Sequence, residues 1–193
     1  ADVNVLPPAG ADGIIRLTDN VNLAETVTIA AGENVTLDLA GHNIDSGSKN
    51  AFVVEGNLTI MDSTATAAPV VSSDYESVTY YSGKITSSVT TIDAENGGTV
   101  TLQSGTVEST GNIALYAGGN IKPKSSGDES EIHSSVVVNG GYVVAREFAI
   151  SAQGRGASLS INNGVLVAQD NAVIGGNGRD DGNSYRGGTT KGV

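Results

Sequence analysis

Short runs of alternating apolar and polar residues recur along almost the whole chain. In each run the apolar side chains occupy positions i and i+2, so they face one side of an extended strand, and Gly or Asn residues separate the runs. The clearest runs are 13–18, 26–30, 34–40, 57–61, 99–103, 135–139 and 158–162. Only 145–152 (AREFAISA) reads as a short helix, and it fits strand alternation equally well. The pattern predicts an all-β protein.

These runs also repeat one another. The stretch that begins at Gly98 aligns without a gap with the stretch that begins at Ala157, so that Val100 matches Leu159. Shorter copies lie earlier in the chain, where Leu58 and Val35 match Val100. We interpret the steps from Val35 to Leu58, from Leu58 to Val100 and from Val100 to Leu159 as one, two and three units of about 20 residues, the size of one solenoid coil. The predicted fold is a single right-handed parallel β-helix, a β-solenoid whose coils bury their Val, Ile and Leu against one another.

The repeat divides the chain into a solenoid, two loop insertions and two terminal segments. Residues 13–176 form the predicted parallel β-helix, and two polar or irregular stretches, 63–81 and 118–134, are predicted as loop insertions that leave the stack. Residues 1–12, with two adjacent prolines, are predicted as an N-terminal arm or cap. Residues 177–193 are either a Gly-rich polar tail or the start of a further coil.

Composition narrows the function classes. Aromatic residues make up only 4% of the chain and Gly occurs 26 times, which favours many thin apolar layers over one globular core. The net charge is −11, so nucleic acids and anionic membranes are not predicted partners. There is no Cys, which excludes disulfides and thiolate metal sites. No apolar run approaches the roughly 20 residues that span a bilayer, so membrane insertion is not predicted either.

The segment GIIRLTDNVNLAETVTIAAGENVTLDLAGHNI, from Gly13 to Ile44, resembles the opening of pectate-lyase-like β-helix adhesive domains of bacterial surface proteins. The resemblance continues through NLTIMDS from Asn57, NGGTVTLQSGTVEST from Asn96 and INNGVLVAQDNAVIGGNG from Ile161. Similar coils occur in phage fibres. The resemblance implies an extracellular protein at a cell or virion surface. It does not by itself imply an activity, because these motifs consist of turn and core residues.

Three tyrosines cluster in the first insertion, at Tyr75, Tyr80 and Tyr81. Tyr is an amphipathic and stiff side chain that often contacts glycans and protein partners from exposed loops. We therefore consider the three as candidate ligand-binding residues. The alternative is that they pack beneath the insertion and seal the side of the solenoid.

Two acidic residues, Asp93 and Glu95, alternate on one predicted strand and so share a face of the solenoid. Glu108, on a nearby coil, is expected to stack above them. Such a patch would suit a divalent cation, or paired carboxylates of the kind used in glycoside hydrolysis. The alternative is an ordinary solvated face.

A second candidate metal site is Asp180 and Asp181, in the stretch GNGRDDGNS. Acidic and amide residues alternate there, as in a loose calcium loop, but the stretch lacks the bidentate Glu that ends an EF-hand loop. Calcium is the only cofactor that the sequence brings into consideration.

Asp38 and His42, in LDLAGH, could be imagined as an acid and base pair. Asp38 alternates with Leu37 and Leu39, which are predicted to point inward. We therefore interpret Asp38 as an outward-facing strand residue and His42 as a turn residue.

Three functions fit these observations. The favoured one is a non-catalytic surface or adhesion domain that binds glycan or protein partners through its insertions. The second is a structural subunit that assembles with copies of itself through the solenoid ends and the N-terminal arm. The third is a carbohydrate-active lyase or hydrolase, which is disfavoured because none of the basic residues of the repeated coils, Lys84, Arg146 and Arg155, is near an acidic cluster in sequence.

Overall fold

Each coil of the chain contributes one strand to each of three parallel sheets, which we number 1 to 3 in the order in which the chain enters them. A computed structural model describes residues 4–119, 132–177 and 189–192. The chain passes from sheet 1 to sheet 2 to sheet 3 and back to sheet 1, and every strand of these three sheets pairs in parallel with its equivalent in the neighbouring coil. This is a β-solenoid, as the alternation and the repeat predict.

The strands of each sheet follow in their stacking order. Sheet 1 contains β1 (Ile14–Arg16), β4 (Asn34–Asp38), β7 (Asn57–Met61), β12 (Thr99–Leu102), β15 (Ser135–Val138), β18 (Ser158–Ile161) and β21 (Thr189–Gly192). Sheet 2 contains β2 (Val21–Asn22), β5 (Ile44–Asp45), β10 (Lys84–Ser87), β13 (Thr106–Ser109), β16 (Tyr142–Ala145) and β19 (Val165–Ala168). Sheet 3 contains β3 (Val27–Ile29), β6 (Phe52–Val54), β11 (Ile92–Ala94), β14 (Ile113–Gly118), β17 (Phe148–Gln153) and β20 (Ile174–Asn177).

The core consists of columns of apolar side chains that run along the solenoid. Adjacent parallel strands lie about 4.8 Å apart, so residues in register stack directly on one another. One column of sheet 1 consists of Val35, Leu58, Val100, Val136 and Leu159, which are partners in successive strands. Most of these side chains are fully buried. Since the columns are built from Val, Ile, Leu and Ala, the fold needs few aromatic residues.

The coils are longer than the spacing of the sequence repeats suggests. Leu58 and Val100 are direct partners in adjacent strands, so the step between them is one coil and not two. Val100 and Leu159 are two coils apart and not three, with Val136 between them. Our interpretation of these steps was wrong because insertions lengthen a coil without adding a layer to the stack.

The first insertion, 63–81, leaves the solenoid at the corner between sheets 1 and 2. It contains a two-stranded antiparallel hairpin of β8 (Val70–Val71) and β9 (Val78–Thr79), which joins none of the three main sheets. The buried carboxylate of Asp62 holds its base by accepting hydrogen bonds from the amides of Gly41 (3.1 Å), Thr64 (2.8 Å) and Gly83. Of the second predicted insertion, 118–134, Gly118 is the last residue of β14, and most of the remainder lies outside the described residues.

Asp38 is buried, and our expectation that it faces solvent was wrong. Its carboxylate accepts hydrogen bonds from the Nε of Arg16 and from the amides of Ala40 and Ser63, each at 2.9 Å. Burial acts to raise the pKa of Asp38, but these hydrogen bonds outweigh it and hold the pKa below its usual value. Asp38 therefore joins its own coil to the coils before and after it at the sheet 1 corner. His42 is a half-buried turn residue whose amide donates to the carbonyl of Leu39 (2.8 Å).

Both ends of the described chain contact the solenoid. In the predicted N-terminal arm, the carbonyl of Asn4 accepts a hydrogen bond from the amide of Ala24 (3.2 Å), and Leu6 packs against the core. Near the other end, β21 pairs with β18 and extends sheet 1.

The segment 145–152, whose sequence also fits a short helix, contributes most of strand β17. No helix among the described residues is long and apolar enough to cross a membrane.

Candidate functional site

An open groove of about 750 Å³ lies on the outer face of sheet 3. We call it the sheet 3 groove. The side chains that give it chemical character are carboxylates, amides and aromatic rings: Asp93, Glu95, Tyr116, Glu147, Phe148 and Gln153. Asn96 and Asn112 also line it.

Strand register explains why these residues meet. Asp93 in β11 is the partner of Tyr116 in β14, and Tyr116 is the partner of Ser151 in β17. Side chains two residues further along a strand return to the same face, which adds Glu95 and Gln153 to the groove. Asp93 and Glu95 therefore share a face, as the sequence predicts. Tyr116 was not identified from sequence, although a correct count of coils would have placed it beside Asp93.

Each of the two aromatic rings of the groove lies against a glycine. A Cβ atom added to Gly118 would be 3.1 Å from the Cε1 atom of Tyr116, and the hydroxyl of that ring reaches Oε1 of Gln153 at 3.5 Å. A Cβ atom added to Gly175 would be only 2.8 Å from the Cδ1 atom of Phe148. Glycine at both positions therefore lets the rings lie close to the sheet.

The carboxylate of Asp93 is the most perturbed group in the groove. Burial, and secondarily the negative charge of Glu95, raises the pKa of Asp93 to about 6. Its Oδ1 atom is buried and has no hydrogen-bond partner among the described residues. Burial also raises the pKa of Tyr116, with smaller contributions from the two carboxylates. Asp93, Glu95 and Tyr116 thus form one electrostatic unit.

Glu108 is not part of this unit, and our expectation that it stacks above Asp93 and Glu95 was wrong. It lies in β13 of sheet 2, where it accepts hydrogen bonds from Nζ of Lys84 (2.6 Å) and Oγ1 of Thr86 (3.2 Å). The error arises because sequence distance alone does not say which of three sheets a strand joins. The strand partner of Asp93 on the following coil is Tyr116 and not Glu108.

The metal predictions have different outcomes. Within residues 4–119, 132–177 and 189–192, no group of three or more His, Asp or Glu side chains is arranged to hold a metal ion. Asp93 and Glu95 therefore share their groove without forming such a group. The other candidate metal ligands, Asp180 and Asp181, lie outside the described residues.

The three candidate tyrosines of the first insertion separate into two kinds. Tyr75 and Tyr81 are 86% and 85% exposed, so both are free to contact a partner. Tyr80 is half-buried, and its hydroxyl accepts a hydrogen bond from the amide of Gly105 (3.1 Å). Tyr80 thus fits the sealing role, and it lines a smaller cleft of about 280 Å³ beneath the insertion.

The basic residues of the coils do not line the sheet 3 groove as far as the structure describes it. Lys84 is paired with Glu108, and Nε of Arg146 lies 2.8 Å from Oδ2 of Asp170. The described lining contains three carboxylates and no Lys, Arg or His. Its charge is therefore strongly negative.

In comparisons with known proteins, no family model, curated protein or solved structure matches the chain.

Proposed function

We propose that this protein is a non-catalytic extracellular surface domain of the pectate-lyase-like β-helix type, that it binds glycan, and that the sheet 3 groove is its binding site. The observation that carries the proposal is the lining of the groove, where two aromatic rings lie among carboxylate and amide groups on one rigid sheet. The binding site thus differs from the insertion tyrosines that the sequence suggests first.

The lining matches the two kinds of surface that a sugar presents. Sugar hydroxyls donate and accept hydrogen bonds, and the side chains of Asp93, Glu95 and Gln153 offer carboxylate and amide partners. The apolar C–H face of a sugar ring packs on flat aromatic side chains, which Tyr116 and Phe148 supply. Because all of these side chains except that of Glu95 lie on β-strands, little conformational entropy is lost when a ligand binds.

A second candidate function is glycoside hydrolysis, and one observation favours it. The pKa of Asp93 is raised to about 6 beside a second carboxylate, Glu95, which is the electrostatic arrangement of a general acid. Release of reducing sugar from a bound glycan would support this candidate. A glycan recovered intact after prolonged incubation with the protein would support the non-catalytic proposal.

Tyr75 and Tyr81 are candidates for a second contact, with a protein partner. Both lie in the first insertion, at the corner between sheets 1 and 2, whereas the groove is on sheet 3. A ligand in the groove would leave them free.

A glycan array with matched variants tests the proposal. Tyr116→Ala removes a groove ring, whereas Tyr142→Ala removes a half-buried tyrosine of sheet 2 whose pKa is likewise raised by burial and by a nearby carboxylate, Glu108. We expect wild-type protein to bind a subset of glycans, Tyr116→Ala to lose about tenfold in affinity, and Tyr142→Ala to bind normally. The absence of any glycan signal, or equal binding by both variants, would contradict the proposal.

A further inference from the structure

We infer that the glycan bound in the sheet 3 groove carries free amino groups, as glucosamine oligomers do, rather than carboxylate groups. This inference rests on the proposed function and adds the chemical class of the ligand. Four properties carry it: the charge of the groove, an unsatisfied acceptor in the groove, the aromatic rings of the groove and the electric field of the whole chain.

The first property is charge. Asp93, Glu95 and Glu147 line the groove, and its described lining contains no cationic side chain. A uronic acid would place its carboxylate among these three groups, where the described lining offers no counter-charge, which disfavours its binding. An ammonium group gains from the same arrangement, and the carboxylates in turn stabilise its charged form.

The second property is the unsatisfied acceptor. The Oδ1 atom of Asp93 is buried without a hydrogen-bond partner among the described residues, so none of these residues supplies the compensation that such an atom normally has. Because Asp93 lines the groove, a small rotation of its carboxylate would present this oxygen to a bound ligand, and a ligand that donates hydrogen bonds there supplies the missing partner. An ammonium group offers three donors and a charge, a hydroxyl offers one donor, and a carboxylate offers none.

The third property is the pair of rings. Tyr116 and Phe148 lie close to the sheet because Gly118 and Gly175 have no side chains beneath them. Aromatic faces attract cations through their quadrupole. The same rings accept the C–H face of a sugar, so an amino sugar uses both of their properties.

The fourth property is the field of the whole chain. The net charge of −11 draws cations toward the protein and repels polyanions before any contact forms. This field does not single out sheet 3. It strengthens the preference that the groove sets locally, and added salt should weaken that contribution.

Isothermal titration calorimetry near neutral pH tests the inference with three ligands of similar size and different charge. These are a β-1,4-linked glucosamine tetramer, its fully N-acetylated form and a galacturonate tetramer. We expect the amine to bind about tenfold more tightly than the N-acetylated form at low salt, a difference of about 1.4 kcal/mol. The galacturonate should give no binding heat, and added salt should narrow the advantage of the amine.

Two matched variants connect the preference to the groove. Asp93→Asn removes a groove carboxylate with little change in shape, and it should bring the affinity ratio of amine to N-acetylated tetramer close to one. Glu76→Gln removes the same charge from the exposed first insertion and should leave the ratio unchanged. Circular dichroism of both variants checks that the fold is kept.

The outcomes separate the inference from the proposed function. Equal affinities for the amine and the N-acetylated tetramer, tighter binding of galacturonate, or an unchanged ratio in Asp93→Asn would overturn the amine preference. In the first two cases glycan binding itself would stand. If none of the three tetramers binds, the amine preference is overturned, and an array without any signal would contradict the proposed function as well.

Discussion

Asp93 and Tyr116 are strand partners in adjacent coils of sheet 3, so an acidic side chain and an aromatic one lie in register on the same outer face. Below Asp93 in this row is Val53, and above Tyr116 is Ser151. The inward columns repeat Val, Ile and Leu from coil to coil, whereas this outward row changes its chemistry at every step. Packing in the core explains why the inward columns stay apolar from coil to coil. Packing does not explain the residues of the outward row, which differ in each coil.

The free energy of unfolding should depend on pH through Asp93. Its pKa is about 6 in the folded protein against an ordinary 3.8, so the folded state binds this proton more tightly than the unfolded state. The resulting stabilisation is fully present below about pH 4 and is lost as the pH rises through about 6. Because Asp93 is partly accessible, we expect a loss on the order of 1–2 kcal/mol.

Urea denaturation of wild type and Asp93→Asn at the two ends of this pH range measures the effect. The variant should be more stable than wild type above pH 6 and should lose this part of the pH dependence. Glu76→Gln is the control, since it should follow the wild-type curve. Parallel curves for wild type and Asp93→Asn would show that the pKa of Asp93 is not raised.

Two glycine substitutions should have different consequences. In Gly118→Ala the new Cβ would meet the Tyr116 ring at 3.1 Å, and because a ring can shift, we expect weaker glycan binding with a stability loss below about 1 kcal/mol. In Gly98→Ala the new Cβ would lie 1.9 Å from the carbonyl oxygen of Val54, which is backbone of the adjacent coil. We expect Gly98→Ala to cost several kcal/mol or to prevent folding.

Thermal melts and binding isotherms of the two glycine variants separate these effects. If Gly118→Ala bound glycan as wild type does, the position of the Tyr116 ring would not matter for binding. If Gly98→Ala melted at the wild-type temperature, the backbones of adjacent coils would not approach each other closely at Gly98.

Asp62 should be needed to hold the first insertion against the solenoid. Asp62→Ala would leave the amides of Gly41, Thr64 and Gly83 without their buried acceptor, at a cost of about 3 kcal/mol. Asp74→Ala is the control, because Asp74 makes its hydrogen bonds within the exposed hairpin, to Ser72 and Glu76. We expect its cost to stay below about 1 kcal/mol.

Limited proteolysis provides a second measure for Asp62. Cleavage within 63–81 should be faster in Asp62→Ala than in wild type, since the base of the insertion would be loosened. If cleavage rates and urea midpoints were the same in both Asp variants, Asp62 would have no anchoring role.

The sequence was sufficient for the fold because its two signals are local. Alternation with period two identifies strands, and Gly and Asn mark the turns between them. The number of coils was not predictable in the same way, because Leu58 and Val100 are neighbours in space although the whole first insertion lies between them in the chain. An insertion and an additional coil have similar lengths, and only the strand pairing distinguishes them.

The candidate site was predicted only in part. The placement of Asp93 and Glu95 on one face follows from their spacing, whereas their proximity to Tyr116 depends on the register between coils. Asp38 shows a different limit. Alternation with Leu37 points its side chain outward, but the chain turns a corner just after it, and the amide of Ser63, from the next coil, covers it.

An NMR titration of the isotope-labelled protein with the glycan that binds best shows where on the protein that glycan binds. We expect the largest amide shifts at Asp93, Tyr116, Gly118 and Gln153, and no shifts in sheet 2 strands β10, β13 and β16. Shifts confined to the first insertion around Tyr75 and Tyr81, or to sheet 2, would contradict the assignment of the sheet 3 groove as the binding site.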